Sequence, residues 1–289
     1  MSGPFSVFRR LIRATQLNSM ATRIFSTDPP APDARIAYGD DPEQFGDLRL
    51  PEGAGSHPVV VVIHGGFWRA RYTLEHIGHL CAALTEQGVA TWSLEYRRVG
   101  TEGGAWPNTM LDVGLGTDFL RELADEYNLE LGRVVVVGHS AGGQLAAWVA
   151  GRHRIPEGDE LYMPAPLPLV GCVPLAGVMD LKMCWSMRLG DGIVKDLMGG
   201  SPAQEPDKYA VASPAELLPL GVKQVLIHGT ADPNVPYKIS KTYVERAQTL
   251  GDDATLVTLK GAGHFEVIDP QSSEWPLVRK TVLGLAFGN

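Results

Sequence analysis

Four consecutive valines, Val134 to Val137, run straight into Gly138-His139-Ser140-Ala141-Gly142, and Leu145, Ala146, Ala147 and Trp148 follow. An unbroken run of β-branched residues is a strand buried on both faces, as in a parallel sheet covered by helices above and below. The residues from Leu145 onward keep an apolar helical character, so the Gly-x-Ser-x-Gly stretch sits on a sharp turn between strand and helix. A residue at the apex of so tight a turn occupies strained backbone, and its neighbours have to be small. Gly138, Ala141, Gly142 and Gly143 meet that demand. Such a turn pushes the Ser140 hydroxyl into the cleft at the carboxyl edge of the sheet, where the helix N-terminus favours developing negative charge. The alternative use of the same residues is a turn whose serine caps the helix.

The rest of the chain repeats this strand and helix alternation. Residues 34–39 and 45–50 read as a leading hairpin around a polar turn, and residues 59–63 and 89–94 read as buried strands. Leu74, Ile77, Leu80, Cys81 and Leu84 keep helical spacing between them, and a second helix is predicted over residues 108–127. After the serine turn, strands are predicted at 169–178, 223–228 and 254–259, with helices at 236–250 and 275–287. Alternation from residue 59 onward predicts an α/β fold, a mostly parallel central sheet with helices on both faces. Residues 180–220 contain no clean strand, and Trp185, Met187, Met198 and Tyr209 lie there among glycines and prolines. This segment is read as a small lid over the cleft.

A serine hydroxyl attacks only when a base takes its proton, and an acid has to orient that base. Both are expected at strand ends on the same sheet edge. His228-Gly229-Thr230-Ala231-Asp232-Pro233 follows one strand, and Gly261-Ala262-Gly263-His264-Phe265 follows another. Taken alone, Asp232 in an Asp-Pro pair is also a common turn former. Together Ser140, Asp232 and His264 give nucleophile, acid and base in the chain order known for such serine turns. Asp180, also just past a strand, is the substitute acid. An acyl-transfer intermediate further needs donors for its oxyanion. His64-Gly65-Gly66-Phe67-Trp68 follows the buried strand at 59–63, and its adjacent glycines let the main chain approach the nucleophile. The expected donors are the backbone N–H groups of Gly66 or Phe67, with that of Ala141.

On these motifs the chain resembles the α/β-hydrolase superfamily, and within it the kynurenine formamidase and esterase/lipase group with a His-Gly-Gly-x-Trp oxyanion motif. The resemblance covers residues 34–287. It implies an α/β-hydrolase fold with Ser140, Asp232 and His264 as triad, and with Gly65, Gly66, Phe67 and Ala141 on the oxyanion loop and elbow. It also implies hydrolysis of short-acyl carboxylic esters or N-formyl and N-acyl aryl amides through an acyl-serine, with no cofactor. A peptidase, an acyltransferase and a non-catalytic ligand-binding relative use the same fold and stay open as alternatives. Trp68, Trp106, Trp185 and Phe265 are candidate linings of the substrate pocket; aromatic residues are also ordinary core.

Composition sets the outer bounds. At 289 residues and 44% hydrophobic content the chain is long enough for one large core with an inserted lid. No apolar run approaches the roughly 20 residues of a membrane-spanning helix. Residues 1–27 hold Arg9, Arg10, Arg13 and Arg23 and no acid, so these contribute +4 to a total of −8 and the remainder carries −12. An acidic body argues against a nucleic-acid partner, and the resemblance implies a small-molecule ester or amide instead. The arginine- and serine-containing leader has the composition of an organellar transit peptide, and equally of a disordered tail or of a chain that starts at Met20. Residues 1–33 are therefore separated as leader and linker from a hydrolase domain at 34–289. Cys81, Cys172 and Cys184 are odd in number and widely spaced, which predicts reduced thiols in an intracellular setting, cytoplasmic or mitochondrial. His76 and His79 stand three apart on a helix without a further ligand in sequence, so no metal site is expected. A dinucleotide fingerprint is excluded, since it would need glycine where Ser140 stands.

Overall fold

In the computed structural model, which describes residues 24–288, the valines divide between two cores. Val59, Val61, Val134 and Val136 share one cluster with Trp92, Met110 and Leu145, whereas Val60, Val62, Val135 and Val137 share another with Leu80, Leu84, Val278 and Val282. Successive side chains of a strand point to opposite faces, so continuous valine runs are what a sheet buried on both sides needs. Burying each such side chain contributes about 1.5–3 kcal/mol relative to leaving it exposed.

Eight strands form one sheet: β1 (Ala34–Ala37), β2 (Phe45–Arg49), β3 (His57–Ile63), β4 (Ala90–Leu94), β5 (Leu129–His139), β6 (Gly171–Leu175), β7 (Gln224–Gly229) and β8 (Ala254–Leu259). Their spatial order is β1-β2-β4-β3-β5-β6-β7-β8. The β1–β2 and β2–β4 pairs are antiparallel and the pairs from β4 to β8 are parallel. The β3–β5 register sets Ile63 beside Gly138, so the loop after β3 and the turn after β5 leave the sheet side by side. With its helices this is an α/β-hydrolase fold.

The helices are α1 (Gly78–Thr85), α2 (Asn108–Asp118), α3 (Leu120–Leu123), α4 (Ala141–Gly151), α5 (Leu181–Ser186), α6 (Val194–Met198), α7 (Pro206–Ala212), α8 (Pro214–Leu217), α9 (Lys238–Thr249) and α10 (Trp275–Phe287). The continuous helix expected over 108–127 is divided at Phe119, beside Asp118, whose carboxylate accepts from Arg152 (2.5 Å) and from the Leu167 N–H (2.7 Å). Strand β5 starts at Leu129, before the valine run, because residues 129 and 130 pair with His57 and Pro58. Residues 180–220, read as a lid, hold the short helices α5 to α8. Cys184, Leu197, Met198 and Tyr209 are fully buried in the same cluster as α4.

Residues 24–33 lie against this body. Ile24 is buried in the cluster of Leu80 and Val278, and the Pro30 carbonyl accepts from Arg49 (2.9 Å). Of the residues 1–27 read as a transit peptide, 1–23 lie outside the described residues. No helix among the described residues is long and apolar enough to cross a membrane. All three cysteines are free and buried, and burial pushes the Cys81 thiol up to about 11 and that of Cys184 to about 12.

Candidate active site

Strand β5 ends at His139 and α4 begins at Ala141, which leaves Ser140 to carry the whole change of direction. Its backbone sits at φ 56°, ψ −117°, outside the regions open to most side chains. The turn is locked on both sides: Ser140 N–H donates to the Leu175 carbonyl (2.9 Å), and its carbonyl accepts from Gly143 (3.0 Å) and Val178 (3.1 Å). A Cβ at Gly142 would stand 2.1 Å from the Ile63 carbonyl oxygen, so only glycine lets the elbow press against the end of β3. The Ser140 side chain makes no capping hydrogen bond to α4. The helix-cap use of this serine is therefore absent, and its hydroxyl lines a cavity instead.

Asp232 and His264 come together from the loops after β7 and β8. His264 Nδ1 lies 2.7 Å from Asp232 Oδ2. A carboxylate only accepts, so Nδ1 carries a proton, and in the neutral imidazole Nε2 holds the lone pair. Asp232 Oδ1 accepts from the N–H groups of Asn234 (2.8 Å) and Val235 (2.9 Å), the turn an Asp-Pro pair forms. The turn contacts thus fall on Oδ1 and the imidazole contact on Oδ2. His228 Nε2 also reaches Oδ2 at 3.2 Å, while its Nδ1 meets Ser240 Oγ at 2.7 Å. Burial alone would raise the Asp232 carboxyl; hydrogen bonds from His228 and His264 and then the Val235 N–H offset this and hold it well below the usual carboxylate range. Ser140 Oγ and His264 Nε2 are not hydrogen-bonded to one another, and both residues line one cavity. Contacts of this kind commonly tighten in the substrate complex.

The loop after β3 supplies donors. Gly66 has φ 111°, and Phe67 and Trp68 have φ 52° and 53°, a run of left-handed conformations that turns the chain across the elbow. A Cβ at Gly65 would meet the His139 carbonyl oxygen at 2.7 Å and Ser140 Cβ at 3.0 Å, which measures how closely the loop passes Ser140. Among the described residues, the N–H groups of Gly66, Phe67 and Ala141 donate to no protein acceptor. Free N–H groups beside a serine and a helix N-terminus are what an oxyanion requires.

Buried side chains fix this loop from behind. His64 lies 2.7 Å from Glu95 Oε1 and stacks on Tyr96 at 4.4 Å between ring centroids. Glu95 also accepts from the Leu74 N–H (3.0 Å) and pairs with buried Arg98 (3.0 Å), so the Glu95-Tyr96-Arg97-Arg98 stretch anchors the cleft wall. Trp68 is completely buried, and its indole N–H donates to Gln144 Oε1 (3.0 Å) on α4. This pins the loop after β3 to α4. Trp68→Phe leaves that buried amide oxygen without its donor and should cost about 1–3 kcal/mol, read by chemical denaturation.

His76 and His139 complete a row of imidazoles, with ring centroids 5.7 Å from His64 to His76 and 4.6 Å from His139 to His264. His139 Nε2 lies 2.9 Å from the His264 carbonyl, so it donates there and holds the loop of the candidate base. Burial, then the neighbouring His64, lowers His76 to about 3; burial, then His264 and His76, holds His139 well below the histidine range. Both stay neutral in the folded chain, whereas unfolded histidine binds a proton near pH 6.5. The stability from keeping them neutral is complete above about pH 6.5 and is lost as pH falls toward the folded values. Each adds a slope of about 1.4 kcal/mol per pH unit in that window. Denaturation midpoints measured from pH 7 to pH 5 should fall accordingly, and His76→Asn should remove one proton from the slope.

The cavity that holds Ser140 and His264 has a volume of about 240 Å³, and Phe67, Tyr72, Asn234 and Phe265 contribute to its walls. Of the four aromatic residues expected in a substrate pocket, the structure brings only Phe265 here. Trp68 is in the core, Trp106 donates to Glu160 (2.8 Å) away from the cavity, and Trp185 lines a separate surface recess with Arg188 and Lys195. Asp180 caps α5 through the Met183 N–H (2.9 Å), a structural use of its carboxylate. His228, His139 and Gln144, with Tyr72 and Asn234 in the cavity wall, carry no expectation from the sequence. His228 stands in the quoted His-Gly-x-x-Asp stretch and His139 inside the Gly-x-Ser-x-Gly motif, but their partners are set by the fold.

The sequence profile of the BD-FAE family matches residues 47–246. The chain belongs to the BD-FAE family. The matched span runs from β2 to α9 and includes residues 64–68, Ser140 and Asp232, with His264 beyond it. Esterase LipC of Mycobacterium tuberculosis is 27% identical over 248 residues, which cover 81% of this chain and 60% of that protein. Isoprenylcysteine alpha-carbonyl methylesterase ICME of Arabidopsis thaliana is 28% identical over 248 residues, 80% of this chain and 56% of that one. The chain thus spans little more than half the length of these relatives. Among solved structures, esterase B from Lactobacillus rhamnosis superposes with a TM-score of 0.77 at 19% identity, covering 98% of this chain and 95% of that one. A truncated carbohydrate esterase from gut microbiota gives a TM-score of 0.76 at 20% identity, covering 90% and 100%. At these identities the likeness of the solved structures speaks for the fold.

Proposed function

We propose that this chain hydrolyses short-acyl carboxylic esters through an acyl-serine intermediate on Ser140. The observation that carries the reading is an uncapped serine hydroxyl at a strained elbow, in one small cavity with a histidine whose proton is fixed on Nδ1 by Asp232. In this mechanism His264 Nε2 takes the Ser140 proton as Oγ attacks the ester carbonyl carbon. The N–H groups of Ala141 and of Gly66 or Phe67 receive the oxyanion, and the Gly65 backbone gives them room. Collapse breaks the carbon–oxygen bond, and His264 hands its proton to the departing alcohol. Water then attacks the acyl-serine with His264 again as base, which releases the acid and restores the hydroxyl.

The esterases among its relatives support ester hydrolysis as the reaction, and a 240 Å³ cavity, below the roughly 300–1,000 Å³ of drug-sized sites, supports small substrates. The His64-Gly65-Gly66-Phe67-Trp68 loop is the feature that favours N-formyl aryl amides as a second substrate class. A panel of p-nitrophenyl acetate, p-nitrophenyl butyrate and N-formylkynurenine tests both. Ester turnover that depends on Ser140 is the expected result, and turnover no higher than in Ser140→Ala for every member would overturn the proposal.

A further inference from the structure

The geometry points to Phe25 as the residue that limits the size of the substrate group bound beside Ser140. This inference rests on the reading of Ser140 as nucleophile. The helical segment at 180–220, where a cleft cover was expected, contributes no residue to the Ser140 cavity. One wall comes instead from the far N-terminal side of the described chain. The Phe25 ring stands edge-on to Phe265 (5.5 Å between centroids, 87°), 5.2 Å from His76 and 6.0 Å from Tyr72, all three of which line the same cavity. Phe25 is 47% exposed, so the ring separates solvent on one side from the cavity on the other.

Its position is held from both flanks. Ile24 is 4% exposed in the core that α1 and α10 share, and Thr27 Oγ1 and its carbonyl both lie within 3.2 Å of His79 Nε2 on α1. An aromatic ring fixed in this way is a stop, because a longer acyl chain or alcohol cannot enter without displacing it. Its contact with substrate is made in the ground state and the transition state alike. Loss of the ring should therefore raise KM for a short ester while leaving kcat nearly unchanged.

The test uses the full chain and its Phe25→Ala variant on two ester series. In one, p-nitrophenyl acetate, butyrate and octanoate vary the acyl group. In the other, p-nitrophenyl, 1-naphthyl and 4-methylumbelliferyl acetates vary the alcohol. The expected result is a gain of about tenfold or more in kcat/KM for the larger member relative to the smaller in one of the series, a discrimination that a methylene or more in a pocket commonly commands. Phe25→Trp should move the same ratio the other way, and Phe25→Leu stands in if the alanine variant melts early. Ratios unchanged in both series, with Ser140-dependent activity intact in the parent, would overturn the role of Phe25 alone. Absence of Ser140-dependent turnover in the parent would overturn it together with the reading it rests on.

Discussion

Ser140→Gly should be inactive and yet more stable than Ser140→Ala. Removing the hydroxyl in either variant is expected to lower kcat on p-nitrophenyl acetate on the order of 10⁶-fold, the loss seen when a triad nucleophile is deleted. The two variants differ in the backbone. At φ 56°, ψ −117° a side chain of any kind is strained, by about 1–3 kcal/mol, and alanine keeps that strain while glycine releases most of it. No cap hydrogen bond is lost in either case, since the Ser140 side chain makes none to α4. Glycine also frees the unfolded chain, which offsets about 0.5–1 kcal/mol of the gain. Urea denaturation should thus place the glycine variant above the alanine variant by about 1 kcal/mol. Equal stability would mean that the elbow is not strained as described, and retained activity would remove Ser140 from the mechanism.

Asp232→Asn carries the second large effect, a fall in kcat on the order of 10⁴-fold with little change in KM. The reason lies in the proton on His264. Asp232 Oδ2 accepts at 2.7 Å from Nδ1 and so keeps Nε2 free to act as base. An asparagine amide can donate to Nδ1, which moves the imidazole proton to Nε2 and removes the lone pair that Ser140 needs. The substitution also changes acid stability. Asp232 is held below its ordinary value of about 3.9, so its charged form contributes stability above that pH and loses it as pH falls toward the folded value. In the asparagine variant that acid-labile part is gone, and stability below about pH 4 should vary less steeply than in the parent. A kcat within tenfold of the parent would count against Asp232 as the orienting acid.

Much of this arrangement is written locally in the chain. The valine runs announce a sheet buried on both faces because alternation puts Val134 and Val136 in one core and Val135 and Val137 in the other. The order of Ser140, Asp232 and His264 is legible because each follows a strand of the same sheet edge. What escaped depends on contacts between distant segments. Trp68 reads as a pocket aromatic, and only the packing of α4 against the loop shows its indole on Gln144. His228 and His139 look like motif neighbours until β7 and β8 bring them onto Asp232 and the His264 carbonyl. The helices of residues 180–220 have only four to seven residues each, too few for an apolar period to stand out. Phe25 belongs by composition to a basic leader, so nothing in the sequence ties it to a cavity formed by residues 66 to 265.

On the proposed mechanism, one serine of this chain is activated by the His264 and Asp232 pair. Labelling with a fluorophosphonate followed by peptide mapping addresses it without knowledge of the natural substrate. The expected result is one adduct per chain on Ser140, none in Ser140→Ala, and a strongly slowed reaction in His264→Ala. An adduct on another residue, or undiminished labelling of Ser140→Ala, would contradict it.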